Sequence, residues 1–366
     1  MTIKIIFYKS SSKYYDSACL RCESMGSYTQ DKNVNTLIVD ITDVKANVHQ
    51  FYGIVDTVKN WSKTEFYIDE RQTREHTKLL PGVKLPEAVE ITDDIAGAAG
   101  ADFVIVATPS CAVRSACHTL AGVVKKGVPV SCVAKGFEPE SYKLLADVMA
   151  EELPHNPVVI LSGPSHAEEV GRGVPTSIVA ASTDRAAAEY TQELLMNETL
   201  RIYINDDVVG VELGAALKNV IALAAGVCDG LGLGDNSKAA LMTRGITEIA
   251  RLGTAMGART ETFAGLSGIG DLIVTCTSMH SRNRRAGILV GQGKTAAQAI
   301  EEVGMTVEGY TAAACAYHLA KRHGVEMPIT REIYQVLYEN KNVKDAVRDL
   351  MGRPGRHESE TIWLNN

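Results

Sequence analysis

No broad basic face, no leader-like start and no paired set of metal ligands can be found along this chain, and each absence removes a class of function. Lysine and arginine number 37 against 44 acidic residues, a balance of -7. Nucleic-acid and membrane-surface binders need a positive face, so neither partner is expected. The opening MTIKIIFYKSSSKYYDSA has too short an apolar core for a signal peptide, and no apolar run reads as long enough to span a membrane. A cytoplasmic protein is therefore expected. The eight cysteines are scattered. Cys111, Cys117, Cys132, Cys228, Cys276 and Cys315 sit inside apolar patterns, where reduced cysteine behaves as a small hydrophobe. Only Cys19 and Cys22, in CLRC, have metal or redox spacing. No second Cys or His pair follows at zinc-site distance, so no metal centre is expected.

What is present points to two domains, as 366 residues suggest. With 45% apolar and 22% charged residues, the chain has an ordinary globular composition. Between about Ala101 and Leu161, short aliphatic runs alternate with helical stretches. DFVIVATPS, GVPVSCVAKGFE and NPVVILSGPSHAEEV read as buried strands, the last leading into a helix from Ser165. CAVRSACHTLAGVVKK and ESYKLLADVMAEEL read as the helices between them. Strand, helix, strand in this rhythm predicts a Rossmann-like parallel sheet in an α/β fold. After Asp207 every segment has helical spacing punctuated by glycine, which predicts an all-helical second domain. The boundaries drawn from this change are 1–206, 207–350, and a loose polar tail over 351–366.

Three constellations carry chemistry. Ligands of open parallel sheets gather beyond the carboxyl ends of the strands, which places Lys135 and the Gly163-Pro164-Ser165 turn in the crevice. N–H groups near Ala167 would favour an anion there; a solvated lysine and an ordinary turn are the plain alternatives. Secondly, Leu213, Leu217, Val220, Ile221 and Ala224 form an apolar helical face with Lys218 and Asn219 in its midst. Periodicity alone favours a lysine on the solvent side of that helix. If it is instead desolvated near Lys135, its ammonium pKa should fall and make it a better proton donor. Thirdly, Asp271 follows GLSGIG, and HSRNRRAG brings Ser281, Arg282, Asn283, Arg284 and Arg285. An arginine fork beside a hydroxyl and an amide suits phosphate oxygens, although such a run could be a solvated helix start. Cationic and amide donors on three segments of an acidic chain predict one small, doubly charged anion as ligand.

Together these segments resemble the bacterial-type NAD(P)-dependent glycerol-3-phosphate dehydrogenases. GAALKNVIALAAGVCDGLGLGDNSKAAL, LSGPSHAEEV, AKGFE, GLSGIGDLIVTCTSMHSRNR, VEGYTAA and MPITREIYQVLYE match that family in order and spacing, and TREHTKLLPGVKLPE is similar to the segment after its second strand. The resemblance runs from about Gly53 to Met351. It implies a Rossmann domain followed by a helical domain of the 6-phosphogluconate dehydrogenase C-terminal type. It implies hydride transfer between the reduced form of NAD or NADP and dihydroxyacetone phosphate to give sn-glycerol 3-phosphate for phospholipid synthesis, and leaves a homodimer open. By motif, Lys218 is the implied catalytic lysine, Lys135 touches substrate and cofactor, and Asn219 lies beside the reacting centre. Asp271, Ser281, Arg282 and Asn283 hold the glycerol phosphate end, Arg282 also nearing the cofactor. Gly163, Ser165 and Ala167 line the crevice, Glu308 contacts the nucleotide, and Lys63 suits a 2'-phosphate.

The first 52 residues depart from the family. Its glycine-rich turn should lie near Thr36 to Val48, yet no glycine occurs between Gly26 and Gly53. NTLIV can still form a strand, but side chains in the turn would obstruct close approach of a pyrophosphate. The alternative raised by this gap is a non-catalytic glycerol-phosphate binder descended from the enzyme.

Overall fold

Short runs of branched aliphatics build a sheet because they are covered on both faces, where alternation is not required. In the computed structural model of the chain, the described residues are 3–9, 35–41, 74–75, 80–85, 89–92, 94–355 and 358. They divide into two compact units, Met1–Ala134 with Glu138–Val208, and Lys135–Phe137 with Val209–Asn366.

The first unit holds strands β1 (Ile3–Lys9), β2 (Asn35–Ile41), β3 (Val89–Thr92), β4 (Val104–Val106), β5 (Val130–Cys132), β6 (Val158–Ser162), β7 (Thr176–Ala181) and β8 (Leu200–Asn205). Their order across the sheet is β3-β1-β2-β4-β5-β6-β7-β8. Helices α1 (Val113–Leu120), α2 (Leu145–Glu152), α3 (Ala167–Val170) and α4 (Arg185–Leu195) alternate with them. The expected strands are the adjacent parallel trio β4, β5 and β6, with α1 and α2 as the crossovers.

The sheet departs from an all-parallel one in two places. The pair β7–β8 runs opposite to β6, and β2 runs opposite to both its neighbours β1 and β4. Of the two front-end strands, only β1 therefore ends at the same edge as β4, β5 and β6. The helix expected from Ser165 is a single turn starting at Ala167. Cys111, expected in an apolar pattern, is exposed; Cys117 and Cys132 are buried.

Apart from the Lys135–Phe137 segment, the described secondary-structure elements of the second unit are all helices. Its elements are α5 (Val208–Gly230), α6 (Asp235–Ala255), α7 (Thr260–Phe263), α8 (Asp271–Thr277), α9 (Arg282–Gly291), α10 (Ala296–Val303), α11 (Glu308–His323), α12 (Pro328–Tyr338) and α13 (Val343–Met351), with a π turn over Leu266–Gly270. Local signals start and stop them. Thr295 and Gln298 form a reciprocal capping box at α10, which ends on the left-handed Gly304. Helix α5 is buried from Gly210 to Cys228, so it has no solvent side. It also corrects the expectation that no apolar run reaches spanning length: α5 is long and apolar enough, but it is the core of its unit. The tail is tied in part, because Arg244 donates to the Glu358 carbonyl at 3.1 Å.

A buried glutamate closes the core. Met327, the N-cap of α12, makes no side-chain cap bond, and Glu248 of α6 takes over that task. It accepts from the Ile329 N–H at 2.7 Å and the Thr330 N–H at 3.2 Å. Burial pushes the Glu248 carboxyl up to about 7, against the pull of those backbone donors. A carboxyl raised on folding contributes stability that is complete below its unfolded pKa and is lost as pH rises through about 7. Thermal melts should therefore weaken as pH rises from 4.5 to about 7, by on the order of 3 kcal/mol at about 1.4 kcal/mol per pKa unit. Glu248→Gln should flatten that slope; parallel pH profiles for both proteins would contradict the assignment.

Candidate active site

The polar centre of the second unit is one buried carboxylate shared by two lysines. Asp271, the first residue of α8, is 1% exposed. Its Oδ2 accepts from Lys135 Nζ at 2.9 Å, and its Oδ1 accepts from Lys218 Nζ. Lys218 also donates to Thr275 Oγ1 at 2.8 Å, and that hydroxyl donates to the Asp271 carbonyl at 2.6 Å. Burial alone would raise the Asp271 carboxyl, but the two ammonium groups outweigh it and hold it below the usual aspartate value. Two ammonium groups against one carboxylate leave a net positive charge on three largely buried groups. Such an excess suits an anion or an oxygen on which negative charge develops.

Lys218 is thus not on a solvent face, as periodicity suggested, but 5% exposed with ionic and hydroxyl partners. Thr275 escaped the sequence reading. Its spacing of four residues from Asp271 puts both on one face of α8, which was the available signal.

Helix α9 brings the basic run to the same unit. Ser281 is its N-cap, accepting from the Arg284 N–H at 3.2 Å, and Arg282 is its first residue. Asn283 donates through Nδ2 to Asn219 Oδ1 at 2.9 Å and accepts from the Gly309 N–H at 2.8 Å. Lys135, Lys218, Asn219, Asp271 and Asn283 are therefore joined by hydrogen bonds or by adjacency, with Ser281 and Arg282 directly before Asn283. Glu308 opens α11 next to Gly309. Arg284 belongs to a different task. Its Nε meets Asp229 Oδ2 at 2.7 Å and its Nη1 donates to the Thr277 carbonyl at 2.6 Å, while Lys238 meets Asp229 Oδ1 at 2.5 Å. One of the run's three arginines, Arg284, is thus neither solvated nor part of the grip: it clamps the helix that Arg282 opens.

Glycines set how closely α9 approaches α5. A Cβ at Gly226 would overlap the Arg284 carbonyl oxygen, and one at Gly287 would overlap that of Leu223. One turn on, Gly230 faces Ile288 and Gly291 faces Val227 in the same way. The two helices thus touch backbone to backbone, which carries Asn283 to Asn219.

In the first unit, Gly163 ends β6 with a φ of 134°, a conformation that L side chains avoid. A Cβ there would lie 3.0 Å from Ile178 Cα. Ser165 donates to the Gly163 carbonyl at 3.1 Å, and Ala167 begins the single turn α3. Thr108 and Ser162, at the carboxyl ends of β4 and β6, are fully buried with hydroxyls unpartnered among the described residues. Bare backbone and spare hydroxyls along one sheet edge fit a nicotinamide cofactor. Lys63 and the Cys19–Cys22 pair lie outside the described residues. Among the described residues no cluster of His, Cys, Asp or Glu could hold a metal.

Comparison with known proteins identifies the family. The family model described as NAD-dependent glycerol-3-phosphate dehydrogenase N-terminus matches residues 44–188, and its C-terminus counterpart matches 207–348. A glycerol-3-phosphate dehydrogenase [NAD(P)+] of Moorella thermoacetica is 56% identical over 292 residues, covering 80% of this chain and 87% of that protein. One of Clostridium perfringens is 53% identical over 304 residues, covering 82% and 92%. The crystal structure of a glycerol-3-phosphate dehydrogenase from Coxiella burnetii superposes with a TM-score of 0.76 at 35% identity, over 80% of this chain and 90% of that one.

Proposed function

Because the chain belongs to the NAD(P)-dependent glycerol-3-phosphate dehydrogenases, we propose that the Lys135–Asp271–Lys218 cluster is where its reaction takes place. The enzyme reduces dihydroxyacetone phosphate to sn-glycerol 3-phosphate, an oxidoreductase step supplying phospholipid synthesis. The observation that carries the assignment is the single carboxylate holding two buried ammonium groups. NADH or NADPH supplies the hydride. Lys218 gives a proton to the C2 oxygen as it gains charge, and Lys135 stabilises the same oxygen. Asp271 holds both nitrogens in place. Arg282, with the Ser281 hydroxyl, grips the phosphate end, and Asn219 and Asn283 complete its polar surround. Gly163 and Ser165 line the substrate crevice. By the same family motifs Lys135, Ala167, Arg282 and Glu308 are assigned to the nucleotide, and Lys63 to a 2'-phosphate. A cytoplasmic homodimer is part of the same reading, and light scattering of the purified protein tests the dimer.

Phosphate dependence tests the assignment. Purified enzyme should oxidise NADH or NADPH when dihydroxyacetone phosphate is added, and kcat/KM for unphosphorylated dihydroxyacetone should be lower by about 10³-fold or more. Equal rates with both substrates would remove the phosphate grip from the mechanism. Calorimetry separates the non-catalytic alternative, which would bind glycerol 3-phosphate but neither NADH nor NADPH.

A further inference from the structure

Lys135 reaches Asp271 from a very short piece of chain. The segment Lys135–Phe137 belongs to the second unit, whereas Ala134 before it and Glu138 after it belong to the first. A stretch of this length spans at most about 10 Å, so a shift at either end is passed on to Lys135. Upstream, the chain is held by the β5 ladder and by the Val133 N–H, which donates to the Val106 carbonyl at 3.2 Å. Downstream, it is held by a side chain. Glu138 takes the fork of Arg114 in α1, Nε to Oε1 at 2.5 Å and Nη2 to Oε2 at 3.0 Å, and accepts from the Ser141 hydroxyl. Its backbone closes a turn: the Glu138 N–H donates to the Lys143 carbonyl at 3.0 Å, and the Tyr142 N–H to the Glu138 carbonyl at 2.9 Å. Burial pulls the Glu138 carboxyl upward, but the Arg114 fork and the Ser141 hydroxyl outweigh it and hold the group below the usual glutamate value.

Arg114 is itself aimed. Its Nη1 donates to Glu152 Oε1 at 2.8 Å and its Nη2 to Glu151 Oε2 at 2.9 Å, both at the end of α2. An isolated surface ion pair would fix little, but a bidentate arginine–carboxylate pair within a network does hold a geometry. Stapling α1 to α2 needs only Glu151 and Glu152. The bidentate grip goes instead to Glu138, which lies on neither helix.

We propose that Glu138 is a positioning residue acting through Lys135: the Arg114 fork fixes the far end of the segment, and with it the place at which the Lys135 ammonium meets the substrate. The inference rests on the reading that Lys135 stabilises the C2 oxygen. Without the fork the ammonium still pairs with Asp271, but over a wider range of positions, and an oxygen gaining charge is stabilised at only one of them.

A double-mutant cycle on the full-length enzyme tests the proposal. Steady-state kcat is measured for wild type, Glu138→Gln, Lys135→Ala and the double variant. Glu138→Gln should lower kcat about tenfold when Lys135 is present, and by less than about twofold in the Lys135→Ala background. As a control, Glu151→Gln removes an exposed partner of the same arginine and should keep kcat within about twofold of wild type. If Glu138→Gln melts well below wild type, Arg114→Lys replaces it in the same cycle, since it keeps the charge and loses the fork. Equal losses in the two Lys135 backgrounds, no loss, or an equal loss from Glu151→Gln overturn the positioning role. Should Lys135→Ala slow the enzyme while the cycle is additive, only this inference fails. If Lys135→Ala turns over like wild type, the reading of Lys135 fails and the positioning role with it.

Discussion

Lys218→Ala should lower kcat by about 10³-fold, in the middle of the range for a positioned proton donor. The side chain removed is buried and its nitrogen is held by Asp271 and Thr275, so water cannot readily take its place and orientation. The Kd for NADH or NADPH should stay within about twofold, because the loss concerns charge that appears during reaction. Stopped-flow oxidation of the nicotinamide and fluorescence titration give the two quantities. A variant retaining more than about a tenth of wild-type kcat would remove Lys218 from proton transfer. Asp271→Asn is the companion measurement. It leaves Lys135 and Lys218 as neighbouring buried cations with no carboxylate between them, so stability should suffer by about 3–5 kcal/mol. That loss would appear in unfolding curves, which Lys218→Ala should disturb less, since Lys135 still pairs with Asp271.

Gly287→Ala should be among the most damaging single methyl groups in the second unit. Its Cβ would overlap the Leu223 carbonyl oxygen, and the opposing residue across the contact is Gly226, with no side chain able to move aside. Relief requires α9 to back away from α5. Overpacking of this kind costs about 3 kcal/mol or more when backbone opposes it. A fall in Tm of roughly 5–10 °C is expected for a unit of this size. Because the same displacement separates Asn283 from Asn219 and moves Arg282, the KM for dihydroxyacetone phosphate should rise about tenfold or more even below the new Tm. Alanine at Gly293, where a Cβ meets nothing within 4 Å but φ is 99°, is the control: strain without displacement of α9. If Gly287→Ala melts and binds like wild type, the close backbone contact is not what places the phosphate grip.

Much of the first unit was legible because parallel, doubly covered strands need uninterrupted apolar runs. VIV and VVILS announce themselves, and the residues following them mark the sheet edge at which a ligand gathers. The reversed strands were not legible. Thr176–Ala181 and Leu200–Asn205 have strand composition, but composition does not say which way a strand runs beside its neighbour. For β2, a run such as NTLIVDI is equally apolar in either direction. Direction is a property of pairing, and pairing is made by distant residues.

Sequence by itself determined the chemical inventory of this protein: a lysine within an apolar helix, an arginine–asparagine run behind a glycine-rich turn, and an acidic balance that argues against a broad basic face. These are composition and order, which one dimension holds in full. Whether Lys218 faced water or Asp271 could not be decided there, because the answer depended on α5 being covered on all sides by helices far along the chain. Likewise, which arginine of the run clamps Asp229 and which starts α9 followed from two helices meeting backbone to backbone. Tertiary structure decided these points, since burial and hydrogen-bond direction arise only when separate segments share the same space.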